Sequence, residues 1–134
     1  MTRHPFEYAA VRVVPRIERG EAMNAGVLLY CRGLDYLGAR VHLDLDRLRA
    51  LDPAADVAAI EQVLAALETS CAAGPEREAR YAGPAEEDRG RRFRRLTAPR
   101  STVVQAGPVH TGLTSDPEAE LVRLLGELVL PLPT

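Results

Sequence analysis

Residues 8–31, YAAVRVVPRIERGEAMNAGVLLYC, contain two strand-like patterns joined by a polar connection. Over residues 8–14 every second side chain falls on the same face of an extended chain, the period of a β-strand. Pro15 ends that pattern because proline cannot donate a ladder hydrogen bond. Residues 26–31 form a short apolar run, which is typical of a central strand buried on both faces. The stretch therefore predicts two strands of one sheet.

The next part of the chain changes from strand to helix periodicity. Residues 37–43 alternate apolar and polar side chains and predict a third strand, antiparallel to the second. Leucines at helical spacing then predict a short helix over residues 45–51. A longer helix is predicted from Asp52-Pro53 or Asp56 to Gly74-Pro75, since its apolar residues recur at helical spacing: Val57, Ile60, Leu64, Leu67 and Cys71.

The C-terminal half predicts fewer strands. We predict a flexible loop over residues 75–90, a helix over 86–96 that Gly90 weakens, a strand over 101–105 and a polar loop to Ser115. Asp116-Pro117 then begins an apolar final helix. The order βββ-αα-α-β-α predicts a single α+β domain over residues 1–134. Its mostly antiparallel sheet of about four strands carries helices on one face.

Composition limits the possible chemistry. A chain of 134 residues fits one domain with its own hydrophobic core. All 17 basic residues are arginine. P-loops, pyridoxal-phosphate sites and protein-kinase sites each require a lysine, so this chain can form none of them.

Cysteine and histidine placement predicts neither a disulfide framework nor a metal site. Cys31 and Cys71 lie in apolar stretches, as buried thiols in a reducing compartment do. The three histidines have no ligand spacing, so we expect no metal and no cofactor. The N-terminus lacks a signal-peptide core and no apolar run is long enough to span a membrane, which predicts a soluble cytoplasmic protein without membrane association.

An arginine cluster lies at residues 89–100, which contain six arginines. Forked guanidinium groups bind phosphate oxygens, so nucleic-acid binding is one interpretation. The other is a solvated helix face that neighbouring acidic residues neutralise. Only Phe93 could stack on bases here.

Polar side chains also concentrate around the strand predicted over residues 101–105. His110 could act as a general base, Ser101 as a nucleophile if that base reached it, and Arg100 could hold an anion. The alternative is local backbone hydrogen bonding, because no GxSxG motif accompanies these residues. In the connection over residues 16–26, Glu21 and Asn24 could face Arg12, or serve only the turn.

Three segments resemble a bacterial family known only as a domain of unknown function: YAAVRVVPRIERGEAMNAGVLLYCR, LTAPRSTVVQAGPVHTGL and DPEAELVRLLGELV. The resemblance implies a cytoplasmic domain without an assigned activity. Some relatives are encoded beside HipA-like kinase proteins, which implies an accessory or partner role. The family's polar motif positions fall on Arg12, Pro15, Glu21, Asn24, Gly26, Arg100, Ser101, Thr102, Gln105, His110, Thr111 and Gly112.

Our leading hypothesis is a non-catalytic binding or accessory module that recognises an anionic group on a small ligand or protein partner. The predicted ligand-binding residues are Arg12, Asn24, Arg100, Ser101, Thr102, Gln105, His110 and Thr111. A second hypothesis is a small hydrolase or transferase acting on a phosphate-containing or nucleotide substrate, with His110 as general base and Arg100 stabilising the oxyanion; Ser101 and Glu21 are its other catalytic candidates. The third is nucleic-acid binding through residues 89–100. The apolar face of the C-terminal helix fits either a core or a homodimer interface.

Overall fold

An open antiparallel sheet of five strands forms the centre of the protein. The computed structural model describes residues 2–72 and 87–133. The strands are β1 (His4–Val13), β2 (Met23–Cys31), β3 (Tyr36–Val41), β4 (Val104–Ala106) and β5 (His110–Thr114). Their order is β3-β2-β1, and β4 and β5 lie one after the other along the far edge of β1.

Strand β1 is long enough to pair with both β4 and β5. Its second half pairs with β4, with Val13 opposite Val104, and its first half pairs with β5, with Tyr8 opposite His110. The polar loop predicted before Ser115 is therefore largely a strand. The prediction was wrong because β1 begins at His4, earlier than its sequence pattern indicated. The backbone groups in this first half of β1 need hydrogen-bond partners, and they find them in β5, about 100 positions away in the chain.

Four helices complete the described part of the chain. They are α1 (Leu45–Leu51), α2 (Val57–Ala72), α3 (Arg89–Leu96) and α4 (Pro117–Leu128). Each follows an aspartate whose carboxylate accepts a backbone N–H in the first turn, which satisfies a donor the helix leaves open. These aspartates are Asp44, Asp56, Asp88 and Asp116. Residues 89 and 90 of the predicted loop belong to α3, and residues 75–86 lie outside the described residues.

The helices cover both faces of the sheet. Leu28 of β2 packs in a core with Leu48 of α1, Leu64 of α2 and Phe93 of α3. Its neighbours Val27, Leu29 and Cys31 point the other way and pack with Leu121 and Leu124 of α4. The α+β class and the antiparallel sheet are confirmed. We expected all helices on one face of the sheet, whereas α4 lies alone on the second face. A central strand that is buried on both sides requires cover on both faces.

A β-bulge in β2 changes which residues face α4. Val11 pairs with Gly26, whereas the next residue of β1, Arg12, pairs with Asn24, so Ala25 is the extra residue. One inserted residue reverses the alternation of the strand beyond it. Asn24 consequently lies on the α4 face beside Arg12, while Ala25 joins the core under the other three helices.

Candidate functional site

A small cavity with both polar and apolar walls opens where β1, β2 and the β4–β5 connection meet the end of α4. Its volume is about 140 Å³. It is lined by Tyr8, Ala10, Arg12, Asn24, Pro108, His110 and Leu128. We call it the Arg12 cavity. It contains three of the residues that the sequence analysis predicted as ligand-binding.

Arg12 supplies the charge of this cavity. It is half-buried on the α4 face of β1, and its guanidinium lies against Gly107, where an added Cβ would be 2.9 Å from the Arg12 Cζ. Within residues 2–72 and 87–133, no carboxylate lies within ion-pair distance of Arg12, and its side chain makes no hydrogen bond. The donor fork is therefore available to a ligand.

Asn24 and His110 form the sides of the cavity. The Asn24 amide donates to the backbone carbonyl of Leu128 at 3.0 Å, which fixes the side chain against the end of α4. The His110 ring is exposed and lies against the Tyr8 ring, with centroids 5.3 Å apart. Gln105 pairs with Arg12 across the strands and lies on the same face of the sheet.

Arg100 and Thr102 lie elsewhere. They line a larger cavity of about 540 Å³ formed by α2, the α1–α2 connection and the entry to β4; we call it the α2 groove. It is on the face covered by α1, α2 and α3, since its walls include Ile60 and Val104. The sheet thus separates Arg100 from Arg12 and His110.

Besides Gln105, three predicted residues line neither of these cavities. Ser101 is exposed, and Thr111 is exposed on β5, where it pairs with Glu7. Glu21 is exposed and accepts a hydrogen bond from Arg19 at 2.5 Å. The structure therefore assembles Arg12, Asn24 and His110, with Gln105 beside them, and does not bring Ser101 and His110 into one cavity.

Most arginines of the cluster pair with a carboxylate of the described chain. Arg89 pairs with Asp35 at 3.1 Å and Arg94 with Glu7 at 2.6 Å. Arg92 and Arg95 both pair with the buried carboxylate of Glu87, at 3.5 and 2.7 Å respectively. Four of the six guanidinium groups thus have a carboxylate partner.

Some residues of the Arg12 cavity were absent from the predicted site. Tyr8 and Arg12 are four positions apart in one strand, so the period of two already placed them on one face. Gly107 and Leu128 carried no such signal. Leu128 contributes a backbone carbonyl, and its position beside Asn24 depends on how α4 docks on the sheet.

A comparison with protein families gives one match over these elements. The family model described as "Protein of unknown function (DUF3037)" matches residues 8–129. The chain belongs to this family. The matched range of the DUF3037 domain extends from β1 through α4 and includes every residue that lines the Arg12 cavity. Searches of curated proteins and of solved structures each gave no match.

The described residues of the DUF3037 domain contain neither a metal-ligand cluster nor a membrane-spanning helix. Among residues 2–72 and 87–133, no three His, Cys, Asp or Glu side chains are grouped so that they could hold a metal ion. In the same ranges, every helix is too short or too polar to cross a bilayer.

Proposed function

We propose that this DUF3037 domain is a non-catalytic binding module that recognises an anionic group at the Arg12 cavity. The observation that carries the proposal is the half-buried Arg12 guanidinium, which has no carboxylate partner in the described part of the chain and opens into a cavity beside Asn24 and His110. The group belongs to a small ligand or to a protein partner.

The chemistry of the lining suits an oxyanion. A guanidinium can donate two parallel hydrogen bonds to a carboxylate or a phosphate, and such charged bonds are about twice as strong as neutral ones. Partial burial strengthens the attraction because the surroundings are less polar than water. The ring nitrogens of His110 and the amide of Asn24 supply further polar contacts at the edge of the same cavity.

The size of the cavity limits what enters it. Its volume of about 140 Å³ is below the roughly 300–1,000 Å³ typical of sites that enclose a whole small molecule. A cavity of this size suits one carboxylate or phosphate group of a ligand. The rest of the ligand must lie outside, over the exposed side chain of His110.

The positions of the other candidate residues favour binding over catalysis. The proposed hydrolase needs Arg100 and His110 at one reacting centre, but they line cavities on opposite faces of the sheet. Nucleic-acid binding needs several unpaired guanidinium groups along one surface, and Arg89 and Arg94 each pair with an acidic side chain.

Chemical-shift titration of the ¹⁵N-labelled protein tests the proposal. Sodium phosphate and sodium acetate are added separately, with sodium chloride at equal ionic strength as the reference. We expect saturable shifts at the Gly107 backbone amide and the Asn24 side-chain amide. Arg12→Ala should abolish them, and Arg12→Lys should weaken binding, because lysine keeps the charge but lacks the fork.

Arg91→Ala is the matched control, since Arg91 is an exposed arginine that lines neither cavity and has no carboxylate partner among the described residues. It should bind as the wild type does. Shifts that survive in Arg12→Ala, or that chloride reproduces, would overturn the proposal.

A further inference from the structure

The α2 groove has the size and lining of a second binding site. Its volume of about 540 Å³ falls within the roughly 300–1,000 Å³ typical of small-molecule sites. The groove exists because short side chains, among them Ala55 and Ala59, stand where longer ones would fill the space. Val63 of α2 is 48% exposed at this surface, so the apolar wall faces solvent.

The charged side chains of the groove differ in how many of their hydrogen-bonding groups already have partners. Asp52 accepts the Ala54 N–H at 2.9 Å and lies 4.0 Å from Arg16, and Asp56 accepts the Ala59 N–H at 3.1 Å. These two carboxylates thus accept backbone hydrogen bonds in the α1–α2 connection and in the first turn of α2.

Arg100 differs from the two aspartates. Its one side-chain hydrogen bond among the described residues goes to the backbone carbonyl of Arg95, at 3.1 Å, and it has no carboxylate partner there. A guanidinium has five N–H donors, so most of this fork is open. An apolar wall beside an unneutralised guanidinium is complementary to a molecule with an apolar body and one negative charge.

The β4 edge beside the groove is less suited to an added peptide strand. Val103 accepts a backbone hydrogen bond from Val14, and Gly107 donates one to Ala10, so these residues direct their backbone groups to β1. By alternation, Val104 directs its carbonyl to the outer edge. The Thr102 hydroxyl donates to that carbonyl at 2.7 Å and occupies an acceptor that an added strand would need.

We propose that the α2 groove binds a small amphipathic organic anion, with its apolar body against Ala59 and Val63 and its acidic group on Arg100. This inference does not rest on the proposed function, because it uses the opposite face of the sheet and a different arginine.

Three probes test it by chemical-shift titration: sodium octanoate, its uncharged counterpart 1-octanol, and sodium acetate, which has the charge without the chain. We expect octanoate to shift the amides of Ala59, Val63 and Val104 saturably and acetate to leave them unchanged. Arg100→Ala should weaken octanoate binding about three- to fivefold, typical of one exposed ionic contact, and leave octanol binding unchanged.

Two variants obstruct the groove in different ways. Ala59→Phe fills it and should weaken octanoate and octanol at least tenfold. Val63→Asp, at an exposed position, should weaken octanoate more than octanol because it adds a repelling charge. The second variant keeps the test decisive if Ala59→Phe does not fold.

Arg12→Ala separates the two sites. It should leave octanoate binding intact even if the Arg12 cavity binds no anion, so either proposal can fail alone. The inference is overturned if octanoate shifts amides throughout the chain, if folded Ala59→Phe and Val63→Asp bind it as the wild type does, or if Arg100→Ala weakens octanol as much as octanoate.

Discussion

The side-chain amide of Asn24 donates a hydrogen bond to the backbone carbonyl of Leu128, 3.0 Å away and 104 positions along the chain. Leu128 is the last residue of α4, where helical carbonyls have no partner within the helix. The bulge at Ala25 places Asn24 on the correct face for this contact. One hydrogen bond therefore caps α4, joins it to β2 and forms a wall of the Arg12 cavity.

Asn24→Ala should lower the free energy of unfolding by about 1 kcal/mol, because it leaves a partly buried carbonyl without its donor. Urea denaturation measures the loss. A second variant, Asn24→Asp, should abolish phosphate binding in the shift titration, since a carboxylate at this position would pair with Arg12. Gln105→Ala is the control for stability, and its free energy of unfolding should change by no more than about 0.5 kcal/mol. Full stability of Asn24→Ala would show that the contact contributes little.

Gly107→Ala should weaken anion binding at the Arg12 cavity while the fold stays intact. The added methyl would lie 2.9 Å from the Arg12 Cζ, and the guanidinium, at the end of a flexible side chain, is the group that can move. Phosphate affinity from the shift titration and the urea midpoint are the two readouts. Unchanged phosphate affinity with a displaced Arg12 Nε signal would contradict the proposed role of the cavity.

Glu87→Ala should cost about 3 kcal/mol of unfolding free energy, because it removes the buried carboxylate that pairs with the buried side chain of Arg92. Asp35→Asn is the comparison, because asparagine removes the charge and, like aspartate, tolerates the left-handed backbone of this position, φ 47°. Asp35 also pairs with an arginine of α3, but its side chain is 79% exposed, so its loss should cost under about 1 kcal/mol. Equal effects in urea denaturation would contradict the difference expected from burial.

Glu118 should make the docking of α4 sensitive to acid. Hydrogen bonds from the Tyr36 hydroxyl and the Arg40 guanidinium hold the pKa of Glu118 below its ordinary value of 4.5. A lowered folded-state pKa gives stability that is complete above pH 4.5 and is lost as the pH falls through the folded value. The side chain is 56% exposed, so the contribution should stay below about 1 kcal/mol.

Glu118→Gln tests this pH dependence. Urea denaturation at pH 7 and at pH 3.5 should show a smaller stability difference between the two pH values for the variant than for the wild type. Glu127→Gln, which removes an exposed partner of Arg123 on the same helix, should leave the difference as it is in the wild type. If Glu127→Gln reduced the stability difference between the two pH values as much as Glu118→Gln does, the pH dependence would come from general surface charge.

Neither cysteine should react with a thiol reagent while the protein is folded. Cys31 and Cys71 are 0% and 2% exposed, and burial raises the pKa of the Cys71 thiol to about 12, so it stays protonated at neutral pH. With 5,5′-dithiobis(2-nitrobenzoate) at pH 8, both thiols should react, each forming a mixed disulfide and releasing 2-nitro-5-thiobenzoate, only as the chain unfolds in urea. Prompt reaction of the native protein would show that these core positions open readily.

Local pattern was sufficient for most of the elements. The alternation from Tyr8 and the apolar run ending at Cys31 predicted β1 and β2, and apolar residues at helical spacing predicted α1, α2 and α4. Strand β5 was missed because its identity as a strand depends on pairing with the first half of β1, not on its own sequence.

The sequence by itself determined the strand and helix periods, the aspartate caps, the arginine-only chemistry and the placement of Tyr8 and Arg12 on one face, because each depends on neighbours within a few positions. Only the tertiary structure decided which residues share a cavity with each arginine. The bulge at Ala25 brings Asn24 to Arg12, and the sheet lies between Arg12 and Arg100. Such proximity arises from strand register and helix docking, which depend on contacts between residues far apart in the chain.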